Sequence, residues 1–569
     1  MGEEVRATAN VVTPDPTAAP PPEVPEPGPT EDTTRSFVRN TLVMSVGTGL
    51  SRLTGFARLS AMAFALGITE NRLADSYNIA NVTPNILYEL ALGGILTSVV
   101  VPVVVQWLDT RGREAAWDVV RRLFTLAIIV LTSIAVLGIV LAPWIVDLYT
   151  SGIGTEAERQ AVGDLSTFFL RWFMPQVLFY GLGAVATGLL NAHRRFAAPM
   201  FAPIVNNLIA IATFLTFAAM TGPSAGSGLV ATDAQRLVLA IGTTLGVAGM
   251  TFALWPSVRA TGFRFRWIAD HRHEAVRKIL RLAGWVIVYV VANQLLYLVI
   301  LIMAAEDQGG YTAYASAFIL FQLPHAIFAV SIFTALLPAM SSRWAASDVQ
   351  GFRDLLAQGI RATAAVLIPA SLGYLVLARP IVRLLLEHGE TGAASGDLVA
   401  EVLVAFAIGL FGFSTFQLLL RASYAMQDSR TPALVNLVAV ALHLVVNLVF
   451  FSVLELGVAG LALGHAVAYV FASVVMILLM RHRLGGIDGR RIVASLWRVL
   501  AAGLLTAGTA WVVAEGFERW LGTASLGTQA LQVLTAVATG LVIFIASAAA
   551  LRVEEIDMVR RQVGARWRR

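Results

Sequence analysis

About fourteen stretches of this chain stay apolar for the ~20 residues a helix needs to cross hydrocarbon. A bilayer core offers no water to backbone amides, so spanning segments must be helices or closed barrels, and runs this long read as helices. We place the spans at roughly 38–66, 73–107, 118–148, 162–190, 198–220, 235–257, 281–304, 311–341, 360–386, 398–424, 431–453, 457–480, 492–514 and 527–551. The composition agrees, because 57% hydrophobic against 14% charged residues leaves too little polar surface for a soluble chain of 569 residues. The fold class expected is an all-α polytopic membrane protein.

Charge sets the topology. Arg111, Arg113, Arg194, Arg195, Arg264, Arg266, Arg272, Arg343, Arg353, Arg483, Arg490 and Arg491 fall in even-numbered loops, while Glu156, Glu158, Asp233, Glu306, Asp307, Glu387, Glu390, Glu455, Glu515 and Glu518 fall in odd ones. Basic loops stay cytoplasmic, so both termini are expected inside a plasma (inner) membrane. Residues 1–34 are proline-rich and nearly free of bulky apolar side chains, which predicts a disordered cytoplasmic tail; 552–569 reads as a basic one. The basic residues are scattered among short loops, so they indicate topology and no nucleic-acid partner.

The chain has no cysteine, and its one lysine, Lys278, is followed by Ile279, so thiolate chemistry and a phosphate-binding P-loop are both excluded. No cofactor or metal is expected, and transport would draw on an ion gradient, the membrane potential or a partner. Gly222-Pro223-Ser224-Ala225-Gly226 has the spacing of a nucleophile elbow but lies between two apolar helices without a strand. His271-Arg272-His273-Glu274 is not a zinc-protease motif. No enzyme activity is expected.

An internal repeat divides the spans. Pro84-Asn85-Ile86-Leu87 resembles Pro324-His325-Ala326-Ile327 at an offset of 240, with Leu96-Thr97-Ser98 to Pro102 answering Thr334-Ala335-Leu336-Leu337-Pro338. Pro203-Ile204-Val205-Asn206-Asn207 resembles Pro432-Ala433-Leu434-Val435-Asn436 at an offset of 229. Six spans per copy is an even number, so the copies share an orientation and form two lobes about an axis along the membrane normal. The expected boundaries are 35–258 and 259–482 for the lobes and 483–551 for two added helices. Substrate would lie between the lobes.

Charged residues inside spans are costly and mark polar cavities. In the first span Gly47, Ser51, Gly55 and Arg58 are spaced four, four and three, which puts them on one helical face, with Arg52 elsewhere on the wheel. One reading is a groove in which Arg58 grips a phosphate with paired N–H donors. The other is a small-residue packing seam with the arginine snorkelling to the interface. Asp75, Asn85 and Glu89 lie in the second span; Glu89 reads as the deeper carboxylate, needing an arginine partner. Arg171 and Arg421 complete the intramembrane cations, and Gln294, Gln322, His325, Gln417, His443 and His465 the other polar groups, which singly are most often helix-to-helix hydrogen-bond partners.

Ser51-Arg52-x-x-Gly55-Phe56-Ala57-Arg58, then Asp75, then Pro84-Asn85-Ile86-Leu87 and the stretch Asn191 to Pro203 resemble the MurJ/MviN family of lipid II flippases, over about 37–551. The resemblance implies fourteen helices, two six-helix lobes around a cationic cavity, and two extra helices forming a groove for a lipid tail. It implies as cargo a polyprenyl-pyrophosphate-linked glycan, the peptidoglycan precursor, carried from the inner to the outer leaflet. Arg52, Arg58 and Asp75 then take the places of functional charges. The chain departs from the family where relatives carry further cavity arginines: Tyr88 and Glu89 follow the proline–asparagine pair, and a span-8 arginine is replaced near Ile319. Arg171 and Arg421 are the candidates to supply that charge.

Three readings stay open on the residues: a lipid II flippase, an exporter of another lipid-linked glycan or a drug cation on the same fold, and a non-transporting scaffold for cell-wall synthesis proteins.

Overall fold

The computed structural model describes residues 31–89, 104, 107, 108, 110–193, 195–221, 231–270 and 272–555, and for 31–46, 275 and 278–289 the backbone alone. The expected amino-terminal tail up to residue 30, Leu96–Pro102 of the repeat, Arg194, the Gly222–Gly226 loop, His271 and most of the basic carboxy-terminal tail lie outside the described residues.

Every described element is helical. In chain order these are α1 Glu31–Leu66, α2 Leu73–Tyr88, α3 Arg113–Tyr149, α4 Glu156–Phe173, α5 Gln176–Ala192, α6 Ala197–Thr221, α7 Asp233–Ala253 and α8 Trp255–Arg259. They continue with α9 Glu274–Ala304, α10 Gly310–Pro324, α11 Val330–Ala345, α12 Val349–Leu386, α13 Ala393–Ile408, α14 Leu410–Ala425, α15 Arg430–Leu448 and α16 Gly457–Leu484. The last pair is α17 Gly489–Leu521 and α18 Leu526–Ala550. Starts follow local chemistry: Thr232 and Gln235 form a capping box at α7, and the Asp348 carboxylate accepts the Gly351 amide at 2.8 Å before α12.

Ten described helices are long and apolar enough to cross a membrane, or eleven if the pair α13–α14, bent by 48° at Gly409, is one span. The three other expected spans coincide with α1, α2 and α9. Of these, α1 carries Arg52 and Arg58, α2 is described only to Tyr88, and the side chains of α9 are described in its apolar stretch only from Val290 to Ala304.

The repeat is visible in how helices break. Pro175 separates α4 from α5 and Gly409 separates α13 from α14, while Pro203 sits in the second turn of α6 and Pro432 in the first turn of α15. Helices α1–α7 pack as one bundle in which α6 lies against both α1 and α7. Helices α10–α16 pack as a second, with α9 alongside, and α17–α18 form a hairpin against α12.

Salt bridges lock that hairpin at both ends. Arg361 of α12 is buried and pairs with Glu555 at 2.8 Å, whose other oxygen takes the Ser495 hydroxyl at 3.2 Å; Arg491 holds Glu554 at 2.7 Å. At the opposite end Arg383 reaches Glu518 at 3.0 Å and Thr523 at 2.8 Å. Breaking a buried ion pair strands a charge, so these pairs tie α17–α18 to α12.

Candidate functional site

The bundles meet at the turn between α1 and α2, where a ring of hydrogen bonds closes one end of the seam. The Thr69 hydroxyl and the Ser395 hydroxyl lie 2.6 Å apart, and the Glu70 carboxylate accepts the Ser395 hydroxyl and the Gly392 amide, each at 2.6 Å. The Gln308 amide donates to the Thr69 carbonyl at 2.6 Å, and the Thr391 hydroxyl to the Ala63 carbonyl at 2.7 Å. Arg72, just before α2, spreads its guanidinium over the Ala305, Glu306 and Asp307 carbonyls at 3.0–3.3 Å and bonds Glu158 at 2.6 Å.

Asp75 is the centre of this ring. Fully buried, it accepts the Gly309 amide at 2.7 Å and both the amide (3.2 Å) and hydroxyl (2.7 Å) of Thr312, with Arg72 at 3.3 Å. A carboxylate here meets the free amides and positive dipole end of α10, the electrostatic arrangement that favours an anion at a helix start. Gly309 makes the approach possible: its φ is +76°, and an added Cβ would lie 2.6 Å from the Thr69 Cα.

Beneath the ring lies a cavity of about 130 Å³ between the bundles, lined by Arg58 of α1, Asn78, Asn81 and Asn85 of α2, Gln176 and Tyr180 of α5, Asn206 of α6, and Ser316 and Ile319 of α10. Asn78 donates to Thr312 at 3.1 Å, so α2 joins ring to cavity. Tyr77 seats that helix in its own bundle, bonding Thr243 at 2.9 Å and standing edge-on to Phe169, Phe173 and Phe214. Arg58 forms no ion pair among the described residues, and no described carboxylate lines the cavity.

The structure separates the other sequence candidates. Ser51 and Gly55 face α6, where the Asn207 amide donates to the Ser51 carbonyl at 3.2 Å and to Thr54 at 3.0 Å, and an added Cβ on Gly55 would lie 3.5 Å from it. The small-residue face of α1 is thus a packing seam that delivers Arg58 to the cavity at its end. Arg52 and Arg171 are exposed and outside the lining, and Arg421 lies over the Phe333 ring at 5.3 Å. Asn85 does line the cavity.

The expected order of the two carboxylates is reversed. Glu89 is exposed at the end of α2 with no ion pair among the described residues, whereas Asp75 is enclosed. Depth along a helix did not predict this, because it is Gly309 and Thr312 of the other bundle that enclose Asp75. Arg72, Thr312, Gly309 and Glu70 were not singled out from sequence. The available signals were Arg72 three residues before Asp75 and the Gly309-Gly310 pair opening a helix.

A second concavity, about 450 Å³, is a groove between α12, the bent pair and α17, lined by Ile368, Leu372, Phe411, Leu496, Trp497 and Leu500, with Ser371 its polar member.

Two helical bundles with a cationic cavity at their seam and one end sealed have the architecture of a membrane exporter. Solved structures with this fold include "Lipid II flippase MurJ, inward closed conformation", at TM-score 0.71 and 19% identity over 90% of this chain and 99% of that one. Another is an inward-facing multidrug resistance MATE family transporter of the MOP superfamily, at TM-score 0.61 and 14% identity over 77% and 95%. A family model described as lipid II flippase MurJ matches residues 62–530, and the chain belongs to that family of multi-pass membrane proteins. Relatives include the lipid II flippase MurJ of Burkholderia cenocepacia, 27% identical over 79% of this chain and 84% of the relative. The probable lipid II flippase MurJ of Rhizobium meliloti is 26% identical over 93% and 96%.

Proposed function

We propose that this chain carries lipid II across the membrane by alternating access, with Arg58 as the phosphate-gripping residue of the cavity. The observation that carries the reading is Arg58, free of any described counter-ion, among asparagines in an enclosure between two bundles. A pyrophosphate-linked sugar cannot cross hydrocarbon unaided, since each unpaired polar group costs roughly 2–7 kcal/mol. A guanidinium and side-chain amides replace those water contacts, while the polyprenyl tail stays in lipid.

The arginine-rich loops support an orientation with the α1–α2 turn outside and both termini in the cytoplasm. The sealed ring is then the outer gate, and the cavity loads from the inner leaflet. The apolar groove beside α17 is suited to the tail. The lobes are assigned to 35–258 and 259–482, and 483–551 forms the added hairpin, carried by α12 through its arginines. A drug cation is disfavoured as cargo, because a cavity with an arginine and no described carboxylate repels it.

Depleting the protein in its native host and identifying the lipid-linked intermediate that accumulates on the inner leaflet tests the cargo. Lipid II is expected. Accumulation of a different lipid-linked glycan, with lipid II still translocated, overturns the assignment.

A further inference from the structure

Inside the second bundle, away from the cavity, buried polar atoms cluster without partners. On α15, Asn436, His443 and Asn447 follow at intervals of seven and four, so they share one face. Asn436 meets Asn293 of α9 at 3.5 Å. Further along, His443 stands 5.6 Å from His465 of α16, ring centre to ring centre. The three inner side chains are only 3%, 6% and 0% exposed for His443, His465 and Asn447. His443 Nε2, His465 Nδ1 and both polar atoms of Asn447 have no hydrogen-bond partner among the described residues. Four unpaired polar atoms on three neighbouring side chains are far outside what a packed interior tolerates unless something occupies the space between them.

We propose that His443 and His465, with Asn447 beside them, form a proton-binding site whose occupancy biases the two bundles between their alternating states. This rests on the alternating-access reading above. The chemistry selects the ligand. Two imidazoles offer nitrogen lone pairs, which take a proton directly or through one bridging water, whereas a hard cation such as sodium requires several oxygens. Asn447 supplies one such oxygen, and no carboxylate is paired or hydrogen-bonded to either ring among the described residues.

From α16 Tyr469 faces His465 at 4.6 Å; from α10, α13 and α14 the faces are Phe321, Phe406 and Phe413, at 5.3–5.5 Å. The third histidine, His325, lies beyond Phe413 at 4.8 Å and is held by the Ser414 hydroxyl at 2.8 Å. Arg421 of α14 lies against Phe333, on the His325 side. Tyr297 of α9 is bonded to Tyr311. Among the described residues nothing anionic faces the pair.

The sign follows from that. The closed-gate state encloses the pair in an aromatic core without a described counter-ion, an environment that offers a bound proton no stabilising partner. A proton arriving from bulk water favours whichever state hydrates the pair, and release from the same nitrogen returns the bundles to this one. Falling pH therefore shifts the population away from the closed outer gate.

The test uses the full chain, which is naturally free of cysteine. A single cysteine at Ile319, in the cavity below the gate, reports outer-gate opening through an impermeant maleimide applied outside. Labelling is expected to rise several-fold from about pH 8 to about pH 5, the imidazole range, with the reagent's own pH dependence subtracted on an exposed control position. The rise should disappear in His443→Gln and His465→Gln and persist in His325→Gln, and replacing sodium by choline should leave it unchanged. Asp75→Asn serves as the opening control at every pH. If Asp75→Asn raises labelling while pH has no effect, the proton site is overturned and alternating access stands. A rise that survives both glutamine variants, or that follows sodium, also overturns it. If neither pH nor Asp75→Asn changes labelling, the alternating-access reading fails and takes the proton site with it.

Discussion

Asp75 of α2 accepts the hydroxyl proton of Thr312 of α10 at 2.7 Å, across the seam between the two bundles. The bond is one of four on a fully buried carboxylate, and all but the one from Arg72 come from the opposite bundle. Closure of this end therefore includes an electrostatic fit between a carboxylate and a helix start.

Asp75→Asn removes the charge from these hydrogen bonds and presents an amide N–H toward backbone donors. Charge-assisted bonds contribute about 1.5–3 kcal/mol each, so the closed state should lose at least one such increment. Glu89→Gln, at an exposed position, should be close to neutral. Equal effects of the two variants on transport and on thermal stability of the purified protein would contradict this assignment.

Gly309→Ala should damage closure by a different route. A non-glycine residue in the left-handed region costs about 1–2 kcal/mol, and the added methyl would also press on the Thr69 backbone. Membrane insertion should be normal and transport strongly reduced; wild-type transport at matched protein amount would show that this approach is not needed.

Arg58→Lys keeps the charge but loses the planar fork, so transport should fall distinctly, and Arg58→Ala should fall further. A snorkelling arginine would tolerate lysine, since both stems are long. Full complementation of a flippase-depleted strain by the lysine variant would remove Arg58 from the site.

Arg361→Ala strands the buried Glu555 carboxylate, which should cost about 3–5 kcal/mol and free the α17–α18 hairpin. Replacing both partners by apolar residues of similar size should restore much of the melting temperature. At the same clamp, the Arg491 hydrogen bond holds the Glu554 carboxyl below the usual range. Its contribution is therefore present above the ordinary carboxylate pKa and is lost as pH falls below it, so melting measured through the acid range should show the loss only there.

Cysteines at Ser151 and Ser347, both exposed, test the orientation. Ser151→Cys should react with an impermeant reagent from outside and Ser347→Cys should not; labelling of the second in intact cells inverts the topology.

The sequence by itself determined the helical, membrane-spanning class, the two-copy arrangement and the family. Each depends on signals carried along the chain: apolar runs of bilayer length, prolines recurring at offsets of 240 and 229, and the Ser51 to Arg58 motif. It also put Arg58 on one face with small residues, because helical spacing fixes that without a partner. It could not tell which part of that face meets a neighbour. Only the tertiary structure showed Ser51 and Gly55 against Asn207 and left Arg58 to the cavity. Only the docking of two bundles made Asp75 the buried carboxylate and Glu89 the exposed one, since burial in a polytopic protein is set by helices hundreds of residues away. Asp75 meets Gly309 across 234 positions, and His443 meets His465 because α15 and α16 turn one face each toward the other. Periodicity names the face of a helix, and packing alone decides what that face touches.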